Sequence, residues 1–393
     1  MAAAVMARGT TVLHNVPRIT DVECMSDLLR SMGLEVAWAD GSTLHIHRPD
    51  LIVPEAPYEL VERMRASIVV LGPLLAVENR ARVALPGGDD FGPRPIDMHL
   101  RALEELGGTF VAAHGYVEGT TDGLVGTRIL LEFPSVGATE NAMMAGVLAK
   151  GTTTIENAAR EPEIADIAAF LSAMGANISG AGTSTITIEG VSELEPAEHT
   201  VIPDRIEAAT WLASVGIAGG DIEIAGARAD HMDMVLAKLT EMGMEIVPTD
   251  GPEPGLIVHA PDRLHAVDSV ATLPYPGVAT DYKPLLVAML STADGVSIVT
   301  ENLFAGRFRY IDELVRMGAD IRTEGHHAVV RGRERLSGAP VRAPDIRAGA
   351  ALVVAALRAE GETVVAGADH IARGYEDFVG KLTSLGAGVD ILD

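Results

Sequence analysis

The stretch Leu171-Ser-Ala-Met-Gly175-Ala-Asn177-Ile-Ser179 carries the pattern that decides the fold. An apolar, helix-like segment ends at Gly175, and a short β-type run follows it directly. A helix often ends at a residue in the left-handed conformation, which glycine adopts without steric cost. The stretch therefore predicts a helix that stops at Gly175 and leads into a strand.

The same signature, Leu-x-x-Met/Leu-Gly, occurs six times along the 393 residues. Its glycines are Gly33, Gly107, Gly175, Gly243, Gly318 and Gly386. An Ala/Leu/Val-rich helical pattern, a second turn residue and a β-branched run come before each of them; these earlier turn residues are Gly9, Asn79, Gly151, Gly220, Gly295 and Gly361. The spacing predicts an α/β protein of six repeats, three in residues 1–202 and three in residues 203–393, with the alanine-rich helices buried beneath sheets.

Composition limits the ligand class and the compartment. The chain has 55 acidic and 30 basic residues, a net charge of −25, which argues against nucleic acid or an anionic membrane as a partner. A small anionic ligand needs only a local cluster of arginines and is not excluded. Cys24 is the only cysteine, so no disulfide forms within the chain, as is typical of the cytoplasm. No apolar run reaches the ~18 residues that span a bilayer.

A loop rich in glycine and proline, Leu85–His99, lies between two apolar segments. Proline stiffens a loop, and glycine lets its backbone approach a ligand closely. We therefore expect Asp89 and Arg94 to be held in fixed positions. The planar guanidinium of Arg94 suits a phosphate or a carboxylate, because it donates two parallel hydrogen bonds. The alternative is a surface loop with a solvated arginine.

The repeat also places polar residues at matching positions. At the start of the first helix stand Arg65, Ser135, Asp204, Asp281, Asp345 and Arg347, and in the loop after the next strand stand Arg94, Arg160, Asp230, Arg307 and Arg373. If these loops converge, they form an anion-binding cleft, to which helix N-termini add partial positive charge. For Asp204 and Asp345, capping of the helix is an equally good interpretation.

The first repeat is incomplete. Counting back from Gly9 to its helix start passes Met1, so the chain opens inside an alanine-rich helix. The repeat predicts further residues upstream of Met1, or a protein that has lost that corner of its site.

Taken together, these motifs resemble those of the UDP-N-acetylglucosamine 1-carboxyvinyltransferases. Besides the Leu85–His99 loop, the motifs are Met64-Arg-Ala-Ser67, Ser135-Val-Gly-Ala138, Asn157-Ala-Ala-Arg-Glu-Pro-Glu163, Pro203-Asp-Arg-Ile-Glu207, Thr280-Asp281, Arg307-Phe308, Asp345-Ile-Arg-Ala348 and Arg373-Gly-Tyr375. The resemblance runs from Met1 to Asp393. It implies two domains, each an inside-out α/β barrel of three βαβαββ-type repeats, with the active site between them and closure on substrate binding.

The resemblance implies a reaction as well. Enzymes of this family transfer the enolpyruvyl group of phosphoenolpyruvate to the 3′-hydroxyl of UDP-N-acetylglucosamine by addition and elimination, and release phosphate. This is the first committed step of peptidoglycan synthesis, and it therefore serves cell shape and division. The family needs no cofactor and no metal, acts in the cytoplasm on small-molecule substrates, and suggests no obligate protein partner.

The resemblance assigns roles residue by residue. Arg65, Arg94 and Arg373 match residues that hold phosphoenolpyruvate, and Asp281 matches the base that takes the proton from the sugar hydroxyl. Arg307 and Arg347 match further site arginines. The UDP-sugar contacts match Arg94, Pro95, Ile96, Asp97, Met98, Ser135, Val136, Gly137, Asp281 and Leu303. His99 matches a histidine near the uridine, although a packing role explains it as well.

Several positions depart from the family pattern. The family's lysine and asparagine pair belongs upstream of Met1, Lys283 stands where glutamine is usual, and Ala305-Gly306 and Ala372 replace larger polar or acidic residues. These departures keep two alternatives open. One is a transferase with another acceptor; the Leu85–His99 loop argues against shikimate 3-phosphate, the acceptor of a sister family, whereas a different nucleotide acceptor is harder to exclude. The other is a non-catalytic UDP-sugar-binding paralogue.

Asp89 occupies the position where many family members have a cysteine that donates a proton to the methylene carbon and is alkylated by fosfomycin. A carboxylic acid can donate that proton if its pKa is raised, but a carboxylate attacks an epoxide far less readily than a thiolate does. We therefore predict an active enzyme that resists fosfomycin. Mass spectrometry after incubation with fosfomycin tests this, and time-dependent covalent labelling of Asp89 would contradict it.

Overall fold

A computed structural model describes residues 1–86, 95–249, 251, 254–304 and 306–392. Their contacts separate into two units, the first ending at Ile202 and the second starting at Pro203. Within the described part of the chain, no helix combines the length and the apolar character needed to cross a bilayer.

The turn residues of the repeat have the backbone conformation that the sequence pattern predicts. The six signature glycines have positive φ, from 85° at Gly318 to 105° at Gly175. The six earlier turn residues also have positive φ, from 57° at Asn79 to 124° at Gly295. All twelve turn residues therefore have the predicted backbone conformation, and eleven of the turns lead into a strand; the exception is Gly386, since residues 387–392 form no strand.

The first unit alternates helices and strands. Its strands are β1 (Gly9–His14), β2 (Glu35–Trp38), β3 (Leu44–Arg48), β4 (Glu55–Ala56), β5 (Arg80–Ala84), β6 (Thr109–Ala113), β7 (Tyr116–Thr120), β8 (Arg128–Leu130), β9 (Thr152–Glu156), β10 (Asn177–Ser179), β11 (Thr185–Glu189) and β12 (Glu198–Thr200). Its α-helices are α1 (Thr20–Ser31), α2 (Tyr58–Val61), α3 (Leu71–Glu78), α4 (Asp97–Glu105), α5 (Val136–Gly146) and α6 (Pro162–Ala173). Ala2–Met6 and Arg65–Val70 are 3-10 helices, so the expected alanine-rich helix at the start of the chain is a tighter, shorter one.

The second unit follows the same alternation. Its strands are β13 (Gly220–Ala225), β14 (Glu245–Thr249), β15 (Gly255–Ala260), β16 (Ser269–Ala271), β17 (Val296–Thr300), β18 (Asp320–Glu324), β19 (His327–Arg331), β20 (Leu336–Ser337), β21 (Pro340–Arg342), β22 (Ala359–Glu360) and β23 (Val364–Ala366). Its α-helices are α7 (Arg205–Ala218), α8 (Asp233–Glu241), α9 (Lys283–Leu290), α10 (Tyr310–Arg316), α11 (Ile346–Ala356), α12 (Asp369–Ala372) and α13 (Phe378–Ser384), and Ala229–His231 is a 3-10 helix.

Three repeats form four-stranded sheets with one shared strand order. In each sheet a leading strand pairs in parallel with the strand that follows the buried helix, and an antiparallel hairpin completes the sheet. The orders are β4-β5-β7-β6, β8-β9-β11-β10 and β16-β17-β19-β18. These sheets have the βαβαββ connectivity of the predicted repeat.

The other repeats differ because of one strand, β12. It leads into α7 as the leading strands of the other sheets lead into their helices, yet it pairs in parallel with β1 and not with β13, the strand after that helix. The first repeat therefore gains a complete sheet, β12-β1-β3-β2, and the fourth has three strands, β13-β15-β14. The sixth repeat contributes the strand pairs β21-β23 and β20-β22, and residues 387–392 form no strand.

The helices rich in alanine and leucine lie at the centre of each unit. In the first unit α3 packs against α5 and against Ala2–Met6, and in the second unit α7, α9 and α11 pack against one another. The strands alternate buried and exposed residues; in β11, for example, Ile186 and Ile188 are fully buried. Helices inside and half-exposed sheets outside confirm the predicted two-domain α/β class.

Gly190 tests whether the close backbone packing at this position requires a residue without a side chain. Its N–H donates to the carbonyl of Gly151 at 2.9 Å, and a Cβ at Gly190 would overlap the carbonyl oxygen of Ala149. Because backbone atoms cannot move aside as a side chain can, we expect Gly190→Ala to lower the free energy of unfolding by about 3 kcal/mol. Gly41, which has no neighbour within 4 Å of such a Cβ, is the control. Urea unfolding that gives equal midpoints for both alanine variants would contradict this packing.

Candidate active site

In the second unit, predicted site residues lie at the N-terminal ends of the three central helices. Asp204 caps α7, since its carboxylate accepts hydrogen bonds from the N–H groups of Ile206 and Glu207 at 2.7 and 3.3 Å. Asp345 caps α11 in the same way, accepting from Arg347 and Ala348 at 2.9 Å each. The capping interpretation of both aspartates is therefore confirmed.

Asp281, just before α9, is held by two arginines. Its Oδ1 accepts a hydrogen bond from Arg307 Nη1 at 2.6 Å, and its Oδ2 lies 3.7 Å from Arg347 Nε. The side chain of Asp281 is 38% exposed, whereas that of Arg307 is 4% exposed. Burial alone would raise the pKa of Asp281, but the charges of Arg307 and Arg347 outweigh it and lower the pKa to about 2. Asp281 is therefore an ionised carboxylate at neutral pH.

A second carboxylate, that of Glu301, holds the residues around the Asp281–Arg307 pair in place. It is fully buried and accepts from five donors at 2.7–3.1 Å: Thr272 Oγ1, Thr280 Oγ1, Lys283 Nζ and the N–H groups of Leu303 and Phe304. Thr280 Oγ1 in turn accepts from Arg307 Nη1 at 3.1 Å. Glu301 thus orients the residues on both sides of the Asp281–Arg307 pair and fixes the backbone at Leu303.

Lys283 connects Glu301 to the backbone of Arg307. Its fully buried ammonium lies 2.7 Å from Glu301 Oε2, donates to the Arg307 carbonyl at 2.5 Å and sits 4.0 Å from the ring centre of Phe308. Burial lowers the pKa of Lys283 to about 8, although Glu301 opposes this shift. The attraction of Lys283 also outweighs burial at Glu301 and lowers the pKa of that carboxyl group. We therefore treat the two as a charged pair at neutral pH.

Arg347 lies between Asp281 and the segment that contains Arg373. Its guanidinium carbon is 5.3 Å from the ring centre of Tyr375, whose hydroxyl pairs with Thr210 Oγ1 at 2.8 Å. A Cβ at Gly374 would lie 3.3 Å from Arg347 Nη1, so glycine allows this segment to approach. Arg347 Nη1 is buried and has no acceptor among the described residues. It is therefore a donor available to a bound anion.

In the first unit, donors gather around the N-terminus of α5. Ser135 caps this helix, accepting from the Ala138 N–H at 3.3 Å, and the N–H groups of Val136 and Gly137 have no acceptor one turn back. His99, on α4, is buried and packs against Gly137. Arg65 donates to the Pro95 carbonyl at 3.2 Å and lies near enough to influence the pKa of His99.

The remaining predicted residues have the following places. Ile96, Asp97 and Met98 form the start of α4, where Asp97 lies 3.7 Å from Arg101. Arg373 directly follows α12. Asp89 and Arg94 lie outside the described residues, and their roles stay predictions.

The structure adds residues for which the sequence predicts no role. Arg205 begins α7, is 8% exposed, donates to the Tyr282 hydroxyl at 3.1 Å and contributes to the lowered pKa of Asp281. Glu301 and Asn141 are fully buried polar residues, and each is surrounded by hydrogen-bond partners. A glutamate after a strand and an asparagine within an alanine-rich helix are the only sequence signals of this, and neither indicates a partner.

Comparison with known proteins shows the family. A family model described as EPSP synthase (3-phosphoshikimate 1-carboxyvinyltransferase) matches residues 1–382. The UDP-N-acetylglucosamine 1-carboxyvinyltransferase of Corynebacterium jeikeium is 50% identical over 392 residues, which cover 99% of this chain and 92% of that protein. The chain belongs to the UDP-N-acetylglucosamine 1-carboxyvinyltransferase family. The resemblance drawn from the sequence motifs is confirmed.

One further sequence relative and one solved structure support the same family and fold. UDP-N-acetylglucosamine 1-carboxyvinyltransferase 2 of Carboxydothermus hydrogenoformans is 48% identical over 390 residues, covering 99% of this chain and 92% of its own length. The crystal structure of the enolpyruvyl transferase NikO from Streptomyces tendae superposes with a TM-score of 0.88 at 26% identity, covering 98% of this chain and 91% of NikO. The α/β fold found in each unit is thus that of an enolpyruvyl transferase.

The structure predicts unequal effects of changing the two members of the Lys283–Glu301 pair. Glu301→Leu removes an acceptor shared by five donors, of which Lys283 keeps the Arg307 carbonyl, so we expect a loss of about 3–5 kcal/mol in unfolding free energy. Lys283→Gln keeps an amide donor and leaves four neutral donors on Glu301, so we expect a loss of about 1–2 kcal/mol. Chemical denaturation measures both. Lys238→Gln, at a lysine paired with Glu241 near the surface, is the control, within about 0.5 kcal/mol of the unaltered chain. A larger loss for Lys283→Gln than for Glu301→Leu would refute this account.

Proposed function

We propose that this chain transfers the enolpyruvyl group of phosphoenolpyruvate to the 3′-hydroxyl of UDP-N-acetylglucosamine and releases phosphate, the activity EC 2.5.1.7 in peptidoglycan synthesis. The observation that carries the proposal is the ionised Asp281 between Arg307 and Arg347, in a chain half identical to transferases of that name. A carboxylate beside donors for anions is what proton removal near an anionic substrate requires.

The proposed reaction begins at the sugar hydroxyl. Asp281 accepts the proton of the 3′-hydroxyl while the hydroxyl oxygen bonds to C2 of phosphoenolpyruvate. Asp89 donates a proton to C3, which becomes a methyl group in a tetrahedral adduct. Asp89, now a carboxylate, takes a proton back from that methyl group. Phosphate departs from C2 with the electron pair of the broken C–O bond, the double bond of the enolpyruvyl ether forms, and the proton held by Asp281 passes to the departing phosphate. Arg65, Arg94 and Arg373 hold the phosphate and carboxylate of phosphoenolpyruvate during both steps.

The arginines around Asp281 bear on how strong a base it is. Paired with Arg307 and Arg347, the carboxylate has a pKa of about 2 and attracts a proton weakly. An anionic substrate competes for these two guanidinium groups, and each one drawn from Asp281 raises its pKa toward the ordinary value. We propose that substrate binding thereby makes Asp281 a better base when the hydroxyl is in place.

The proposal also implies the partners and the compartment of the reaction. The substrates are phosphoenolpyruvate and the sugar nucleotide, with no nucleic acid, membrane or obligate protein partner. Cys24 is the only cysteine of the sequence, which agrees with a reducing compartment, and we place the reaction in the cytoplasm.

Phosphate release from phosphoenolpyruvate tests the proposal directly. We expect release that depends on UDP-N-acetylglucosamine and does not occur with shikimate 3-phosphate. Asp281→Asn should lower kcat about 100- to 10,000-fold, because it removes the proton acceptor and keeps the shape. Asp268→Asn, at an exposed aspartate of the same unit, is the control and should leave kcat unchanged. Binding of UDP-N-acetylglucosamine without turnover would instead indicate a non-catalytic paralogue, and turnover with another acceptor would overturn the proposed substrate.

A further inference from the structure

Asn141 is a fully buried amide whose orientation is set by the backbone around it. Its Oδ1 accepts from the Gly72 N–H at 2.7 Å, and its Nδ2 donates to the Ile68 carbonyl at 3.1 Å. The same Nδ2 lies 2.9 Å from Nδ1 of His99. Exchanging the amide oxygen and nitrogen would set oxygen against the Ile68 carbonyl and NH₂ against the Gly72 N–H. Only one orientation of the amide is therefore compatible with its neighbours.

This orientation determines where His99 carries its proton. An amide nitrogen can only donate, so Nδ1 of His99 must be the acceptor. In a neutral imidazole the hydrogen is then on Nε2. Burial, and next the charge of Arg65, lower the pKa of His99 to about 4, so the ring is neutral at physiological pH. His99 is thus a neutral ring with one defined donor, Nε2–H.

The donor edge of His99 lies beside the first turn of α5. A Cβ at Gly137 would lie 2.8 Å from His99 Cε1 and 3.3 Å from Nε2, so this edge of the ring rests against Gly137. Nε2 makes no hydrogen bond to any residue that the structure describes. The N–H groups of Val136 and Gly137 and the side chain of Arg65 are in the same neighbourhood. All of these groups donate, and together they suit an anionic oxygen.

We propose that Asn141 is a positioning residue that holds His99 as the Nε2–H tautomer, so that His99 and the N-terminus of α5 together donate to a phosphate oxygen of the sugar nucleotide. The proposal rests on the proposed function for the identity of the ligand. It does not rest on that function for the tautomer, which the hydrogen bonds of Gly72 and Ile68 determine in the free protein.

A purely structural role for Asn141 makes different predictions. Its bonds to Gly72 and Ile68 link α5 to the segment at the start of α3, and Gly72 is needed there because a Cβ would lie 2.5 Å from the Asn141 carbonyl oxygen. If this link were the whole role, replacing Asn141 would change stability alone. Substrate affinity would then not depend on the protonation of His99.

The first experiment reads the tautomer in the ligand-free, unaltered protein. Long-range ¹H–¹⁵N spectra of histidine-labelled protein distinguish a protonated ring nitrogen from an unprotonated one, and His99→Phe assigns the signal by its loss. We expect Nε2 to be protonated and Nδ1 to be unprotonated at pH 7. Protonation at Nδ1 would overturn the proposal, whatever the enzyme does.

The second experiment uses Asn141→Asp. A carboxylate cannot donate to Nδ1, so the neutral ring must carry its hydrogen there, and Nε2 becomes an acceptor that repels a phosphate. Only the imidazolium, favoured by the new carboxylate, restores Nε2–H. We expect KM for UDP-N-acetylglucosamine to rise roughly 10- to 100-fold at pH 8 and to recover toward the unaltered value at pH 6, with a much smaller change in kcat.

Two further variants keep the test decisive. Thr139→Val is the matched control: Thr139 is fully buried in the same helix, and its Oγ1 accepts from the Ala159 N–H at 3.0 Å without touching His99. It should lower stability and leave the pH dependence of KM unchanged. His99→Phe keeps a ring and removes the donor, and should raise KM about 10- to 100-fold even if Asn141→Asp does not fold.

Binding of UDP and of uridine separates the possible contacts. Loss of UDP affinity in His99→Phe with uridine affinity unchanged supports a phosphate contact, and equal losses for both would overturn it. A KM for Asn141→Asp that is raised equally at pH 6 and pH 8 would show a structural role only. If the unaltered protein shows the expected tautomer but does not bind UDP-N-acetylglucosamine, the proposed function fails, and the ligand part of this proposal fails with it.

Discussion

The packing of α7, α9 and α11 against one another fixes the position of every charge at the candidate site of the second unit. Their N-terminal ends carry Asp204, Asp281 and Asp345, and each of these carboxylates is paired with backbone N–H groups or arginine. A buried charge is expensive unless it is paired, and this restrains the buried Asp345 and Arg307, whereas Asp204 is exposed and Asp281 is partly exposed. Glu301 enforces this most strongly, because its carboxylate satisfies five donors from three chain segments at once.

In the first unit, the groups that hold the corresponding helix N-terminus are neutral. There the N-terminus of α5 is held by the Ser135 cap and the Asn141 amide, and close helix packing depends on Gly72 and Gly137. Neutral groups leave the partial positive charge of the helix terminus uncompensated, and the neutral state of His99 avoids adding a proton that changes with pH. Such a surface can attract an anion over a wide pH range. The second unit, by contrast, pairs its cations with Asp281 and offers a carboxylate for proton transfer.

Sequence periodicity predicted the turns between helices and strands, because the conformation of a turn depends on the residues in the turn itself. A residue such as Gly175 or Asn79 sits where the backbone needs positive φ, and that requirement is visible in the residue type. The partners of Glu301 were not predictable, since Thr272 and Thr280 become neighbours only after the parallel strands pair. The pairing of β12 with β1 was not predictable either, because a three-residue strand contains no signal that selects its partner. The repeat places polar residues such as Asp281 and Arg307 at matching positions, but their individual roles could be named only through the resemblance to a family.

Lys283 shows why a departure from the family pattern need not alter the site. The pattern usually has glutamine there, and both side chains can donate to the Arg307 carbonyl and to Glu301. Four neutral donors already hold the Glu301 carboxylate in place, and the face of Phe308 lies beside the ammonium that a lysine adds. The added positive charge is thus compensated by Glu301 and by the face of Phe308. The geometry that Asp281 presents to a substrate is set by Arg307 and Arg347, and neither of them depends on whether the donor at position 283 is charged.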